Sequence, residues 1–185
     1  MMAQKFFFSS AAALLAGSIT CLGCGGAKNS DTANQSSAPE VVSEADQYMA
    51  QAGNSESEGD LKGAMANYLA AADAFDKTGD VTVARADAHS EAGRLAYQNA
   101  ELQIAVDEYQ KSVDIYLRFS GNARVKGANA LNNMGAIYKE MQNKSRALNC
   151  WHQAIDLYKK APPELQDQAN IQKIEQNIRD LESGY

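Results

Sequence analysis

Histidine and cysteine are scarce in this 185-residue chain, which has two histidines (His89, His152) and three cysteines (Cys21, Cys24, Cys150). So few ligands leave little material for a zinc site, and no metal or other cofactor is expected. Cys21 and Cys24 fall in a stretch that reads as a targeting signal, which leaves Cys150 alone in the body and excludes a disulfide framework. Proline and glycine are sparse as well, 3 and 13 residues against 32 alanines. That balance favours helix, because Ala is the best helix former and Gly and Pro the worst. Positive charge is in deficit, with 17 Lys and Arg against 23 Asp and Glu and a net charge of −6. A protein that tracks nucleic-acid phosphates needs clustered bases, so nucleic acid is excluded as a partner. What remains is 45% hydrophobic and 22% charged, the composition of a chain that folds, at a length suited to one ordinary domain.

The amino terminus reads as an address and an anchor. Lys5 is the only charge before Lys28, and Phe6 to Ile19 is a mostly apolar run of 14 residues, too short to span a bilayer. A basic start followed by a short apolar middle is the pattern of a secretory signal. The next residues, Leu22-Gly23-Cys24-Gly25-Gly26, resemble the lipidation motif of bacterial lipoproteins, in which a small residue precedes the cysteine that becomes the new amino terminus. The resemblance implies a signal over 1–23, lipidation at Cys24, and a bacterial cell-envelope location, with the outer membrane or periplasmic face favoured. Cys21 is the second candidate, and cleavage after Ala27 with release of a soluble protein is the third. Residues 24–40 are Gly-, Ser-, Asn- and Ala-rich up to Pro39, a flexible tether of about 20–25 Å average reach. Residues 24–60 hold seven acids and one lysine, whereas 61–185 hold sixteen acids and fifteen bases, so the acidity belongs to the stalk and first helix.

The body repeats itself. Three segments place a small residue, an aromatic four later and a second small residue seven later: Ala64, Tyr68, Ala71; Ala105, Tyr109, Ser112; and Ala147, Trp151, Ala154. That spacing sets each trio on one helical face. Upstream of each lies another helical pattern, clear in Leu131, Met134, Gly135 and Tyr138, present around Gly93 and Tyr97, and degenerate around Tyr48 and Ala52. The spacing predicts helices near 41–53, 60–77, 81–98, 101–119, 123–141 and 145–160. Asp80 and Ser145 are the expected starting caps, and Gly79 and Gly121 the expected stops. A last helix near 164–182 carries the stripe Ile171, Ile174, Ile178 and Leu181, suited to covering the end of the array.

These residues resemble the tetratricopeptide repeat family, in its long-repeat form. Ala64 to Ala105 is 41 residues and Ala105 to Ala147 is 42, against the usual 34. The resemblance implies an all-α solenoid of about three helix-turn-helix repeats over 41–160, with a capping helix in 161–185. It also implies a concave groove that holds another protein or a short peptide segment. Carried over by the 42-residue register, the second repeat offers Asp87, Ser90, Arg94, Tyr97 and Gln98 to that groove. The third offers Asn129, Asn132, Ala136, Lys139 and Glu140, and the degenerate first repeat offers Asp46, Met49, Gly53, Glu56 and Ser57. Ser90, Arg94, Tyr97, Asn129, Asn132 and Lys139 are the side chains best suited to peptide contact.

No nucleophile–base pair, carboxylate dyad or metal cluster is legible, so no catalytic residue is assigned and an enzyme is not expected. His89 falls at a bulky core position of its repeat and reads as a packed histidine. Cys150 reads as an apolar filler. The function expected is that of a membrane-anchored adaptor or scaffold. The alternative is an assembly protein that self-associates, or docks through its convex face or last helix.

Overall fold

A computed structural model describes residues 43–184, and these contain seven α-helices and no strand. The expected signal over 1–23, the expected lipidation at Cys24 and the expected tether over 24–40 lie outside the described residues. The helices are α1 (Glu44–Ser57), α2 (Leu61–Thr78), α3 (Val83–Gln98), α4 (Leu102–Tyr116), α5 (Asn122–Glu140), α6 (Lys144–Lys159) and α7 (Gln168–Ser183). A short 3₁₀ turn, Pro163–Leu165, precedes α7. Each helix packs against the next in chain order, the arrangement of a tetratricopeptide-like solenoid.

The small–aromatic–small trios explain why the helices pair so closely. Ala64, Ala71, Ala105, Ser112, Ala147 and Ala154 are fully buried, and Tyr68, Tyr109 and Trp151 fill the space beside them. Gly135 is the tightest of these approaches. A methyl group there would lie 2.4 Å from the Trp151 indole nitrogen, so only hydrogen lets α5 and α6 meet at this crossing. The indole N–H in turn donates to the Asn132 carbonyl at 3.2 Å. Gly93 plays the same part against Tyr109, where an added Cβ would sit 3.1 Å from the ring.

The helix ends differ from the expected ones for local reasons. α3 is capped by Thr82, which accepts from the Arg85 N–H, and not by Asp80. α6 is capped by Asn143, which accepts from the Arg146 N–H, and not by Ser145. Both true caps stand three residues before the amide they satisfy, the reach a short side chain has. α4 stops at Tyr116, short of 119, because Arg118 and Phe119 bond back to Ile115 and Tyr116 in a tightened final turn. Gly121 does not follow α4 directly; it adopts a positive φ of 61° as the residue that opens α5. Gly79 closes α2 in the left-handed conformation. α7 begins at Gln168 because the Asp167 side chain accepts from the Asn170 N–H. Its Ile171, Ile174 and Ile178 are buried in the main core with Leu181 packed at its edge, so the apolar stripe is spent on covering the array.

Candidate functional site

Polar side chains tie α1 to α3 and α3 to α5, and between α3 and α5 lies a groove. A cavity of about 380 Å³ is walled by Asp87, Ser90, Glu91 and Arg94 of α3 and by Lys126, Asn129 and Asn133 of α5, with Tyr109 and Tyr116 of α4 behind. The i, i+3, i+4 and i+7 spacing on α3 and the i, i+3 and i+7 spacing on α5 put each set on one helical face.

Almost every polar group in the wall is held. Arg94 donates from Nε to Glu91 at 2.6 Å and from a terminal nitrogen to Glu56 of α1 at 2.5 Å. Burial works against its charge, but these two carboxylates outweigh it and raise the guanidinium pKa. Glu56 also accepts from the Tyr68 hydroxyl at 3.2 Å, and burial with that carboxylate beside it pushes Tyr68 up to about 12. Lys126 reaches both Asp87 oxygens, at 2.8 and 2.9 Å, and the Tyr116 hydroxyl donates to the same carboxylate. Tyr116 is raised well above the ordinary phenol value, first by burial and then by Asp87. Asn133 donates to the Tyr109 hydroxyl at 3.1 Å, and burial pushes Tyr109 up to about 12. The Tyr158 hydroxyl donates to the Asn129 side-chain oxygen. These phenols stay neutral at physiological pH and act as fixed hydrogen-bonding supports.

Of the expected groove residues, the structure brings Ser90, Arg94 and Asn129 together in the cavity wall, along with Asp87. Tyr97 is exposed on the same helix, and its hydroxyl donates to Glu140 at 3.0 Å, linking α3 to α5 outside the cavity lining. Asn132 and Lys139 are not part of the lining; Asn132 stands at the Trp151 crossing, and Lys139 is exposed near the end of α5. The 42-residue register carries Asp87 onto Asn129 and Glu91 onto Asn133, and both stand in the lining; it also carries Ser90 onto Asn132, which does not, and α5 adds Lys126, one helical turn before Asn129. Glu91 and its equivalent Asn133 are the residues the register would have supplied had the position after Ser90 been counted. Tyr109 and Tyr116 come from α4, which the resemblance assigns to the other layer.

A second polar cluster lies behind the groove at the junction of α2, α3 and α4. His89 is 3% exposed and its Nδ1 lies 2.7 Å from the carboxylate of Glu108, itself 6% exposed. Lys111 donates to the other Glu108 oxygen at 2.7 Å. Burial opposes ionisation of Glu108, yet the hydrogen bonds from His89 and Lys111 prevail and hold it below the ordinary carboxylate range. His89 is thus packed, as its core position suggests, but paired in a way that composition does not reveal. Cys150 is buried on α6, and desolvation pushes its thiol up to about 11. No group of three or more His, Cys, Asp or Glu suited to a metal ion occurs among the described residues. No helix among them is long and apolar enough to cross a membrane.

Comparison with known proteins follows the same lines. A family model described as SNAP, soluble NSF attachment protein, matches residues 32–182. Among solved structures, BtubC (BKLC) from P. vanneervenii is similar with a TM-score of 0.64 and 16% identity, over 74% of this chain and 54% of that one. This chain therefore spans about half the length of that neighbour. The N-terminal domain of stress-induced protein-1 (STI-1) from C. elegans is similar with a TM-score of 0.54 and 14% identity, over 71% of this chain and 94% of that one. At such identities the likeness is one of fold. No curated protein sequence matches the chain.

Proposed function

The chain belongs to the soluble NSF attachment protein family, and on that footing we propose that it is an adaptor that holds a short extended segment of another protein in the groove between α3 and α5. The family's name describes attachment to a protein partner, which is the same kind of role. The observation that carries the proposal is the cavity wall itself. Arg94, Glu91, Asp87, Lys126, Asn129 and Asn133 are fixed by one another and by buried tyrosines before any ligand arrives. A wall ordered in advance saves the side-chain entropy that binding would otherwise cost.

Lipidation at Cys24 places this groove at a bacterial envelope membrane, with residues 25–40 as the tether. Lipid chains contribute about 0.8 kcal/mol per buried methylene, so a multiply acylated cysteine suffices for stable anchoring. The isoleucine stripe of α7 is buried, which speaks against one form of the rival reading, self-association through that helix, and leaves its other form, docking through the convex face, as the alternative.

The proposal is tested by affinity capture from detergent-solubilised envelopes with the full chain, compared with Arg94→Ala and Asn133→Ala. Loss of the same captured protein in both variants supports the groove; unchanged capture by both overturns it.

A further inference from the structure

The helices that frame the groove carry a graded charge. α1 contains Glu44, Asp46 and Glu56 and no lysine or arginine. α3 is balanced, with Asp87 and Glu91 against Arg85 and Arg94. α5 contains Arg124, Lys126 and Lys139 against Glu140 alone. The gradient reaches the groove through Glu56, which meets Arg94 from the α1 side, and through Lys126, which meets Asp87 from the α5 side.

We infer that the groove takes a dipolar segment, with a basic side chain lying toward α1 and an acidic side chain lying toward α5, so that charge sets the direction in which the partner binds. The inference rests on the groove reading above and adds the chemistry of its ligand. A uniformly acidic ligand gains the α5 end but meets Glu56 and Glu91 at the other, two carboxylates that share the single guanidinium of Arg94. A uniformly basic ligand gains the α1 end but meets Lys126 at the other. Only a segment with both charges satisfies both ends, by attraction at each and by repulsion of the reversed orientation. Salt bridges join α1 to α3 through Glu56 and Arg94, and α3 to α5 through Asp87 and Lys126; at about 10 Å for each step between helices, the span is about 20 Å, the length of about six extended residues. The two charges of the ligand should therefore be separated by about that many positions.

The test uses three blocked peptides of equal length in a Gly/Ser background, titrated calorimetrically into the full chain in detergent. One carries Arg and, about six residues on, Asp; the second carries Arg at both places; the third carries Asp at both. The mixed peptide is expected to bind about fivefold more tightly than either uniform one at low salt, with the difference shrinking near 0.5 M salt. Lys126→Glu should transfer the preference to the doubly basic peptide, and the milder Lys126→Gln should abolish the advantage of the mixed peptide over it. Circular dichroism confirms that both variants keep their helices. A uniform peptide binding as well as the mixed one, or a preference unmoved by Lys126→Glu, overturns the inference. Equal binding of all three that is still lost in Arg94→Ala overturns the charge rule alone and leaves the groove standing. If no peptide binds, the dipolar rule falls, and the capture experiment decides the groove separately.

Discussion

Replacing Gly135 by alanine is the sharpest perturbation of the packing that forms the groove. A Cβ at this position would lie 2.4 Å from Trp151 Nε1, 2.5 Å from Cδ1 and 2.8 Å from Cε2, all atoms of a rigid ring that is 1% exposed. The indole cannot yield by rotating a flexible end, so the helices must separate or Trp151 must leave its rotamer. Overpacking of this kind costs about 1–3 kcal/mol. Displacing the ring also breaks its bond to the Asn132 carbonyl, about 1 kcal/mol more. Against these stands the helix-propensity gain of Gly to Ala, about 1 kcal/mol. The net expectation is a loss of about 1–3 kcal/mol, or roughly 3–10 °C in Tm for a domain of this size. Gly53→Ala is the control: nothing lies within 4 Å of its Cβ, so only propensity acts and stability should rise by about 0.5–1 kcal/mol. Trp151 is the only tryptophan, so urea titration followed by its fluorescence reads the crossing directly. A Gly135→Ala midpoint equal to or above the wild type would refute the close-approach account of α5 and α6.

Acid should weaken the protein partly through Glu108. Its carboxyl is held below the ordinary value of 4.5 in the folded state, so its stabilising contribution is present above that pH and is lost as pH falls through the folded pKa. Urea midpoints measured from neutral pH down to about 3.5 should fall less steeply in Glu108→Gln than in wild type, from a lower starting value, because the variant leaves His89 and Lys111 without their anion. Parallel curves would contradict the pairing. At the other end of the chain, mass spectrometry of membrane-extracted protein should show a lipid-modified Cys24 as the first residue, and Cys24→Ser should release the protein from the membrane. A mature chain beginning after Ala27 would refute the anchor.

Much of the fold was legible because the repeat is written in steric terms. Ala105, Tyr109 and Ser112, or Ala147, Trp151 and Ala154, can occupy one helical face only if a neighbouring helix approaches there, and all six are buried. The glycines at 93 and 135 mark where that approach is tightest. Helix ends were less legible, since Asp80 and Thr82, or Asn143 and Ser145, are all competent caps, and backbone geometry chooses between them. Of the residues carried over by the register, Ser90, Arg94 and Asn129 stand in the cavity wall and Asn132 and Lys139 do not; Glu91 and Asn133 share one register position that was not counted, and Lys126 lies a turn before Asn129. The His89–Glu108 pair was hidden because its members are nineteen residues apart on different helices, and nothing in a single helical pattern marks two polar residues as partners.

The claim that the α3–α5 groove is the binding face is tested most directly by photo-crosslinking in living cells. A benzophenone side chain placed at Ser90 or Asn133, inside the groove, is compared with one at His152, exposed on α6 outside it. The account predicts one crosslinked protein partner common to Ser90 and Asn133 and absent from His152. No adduct from either groove position, or the same adduct from His152, would contradict it.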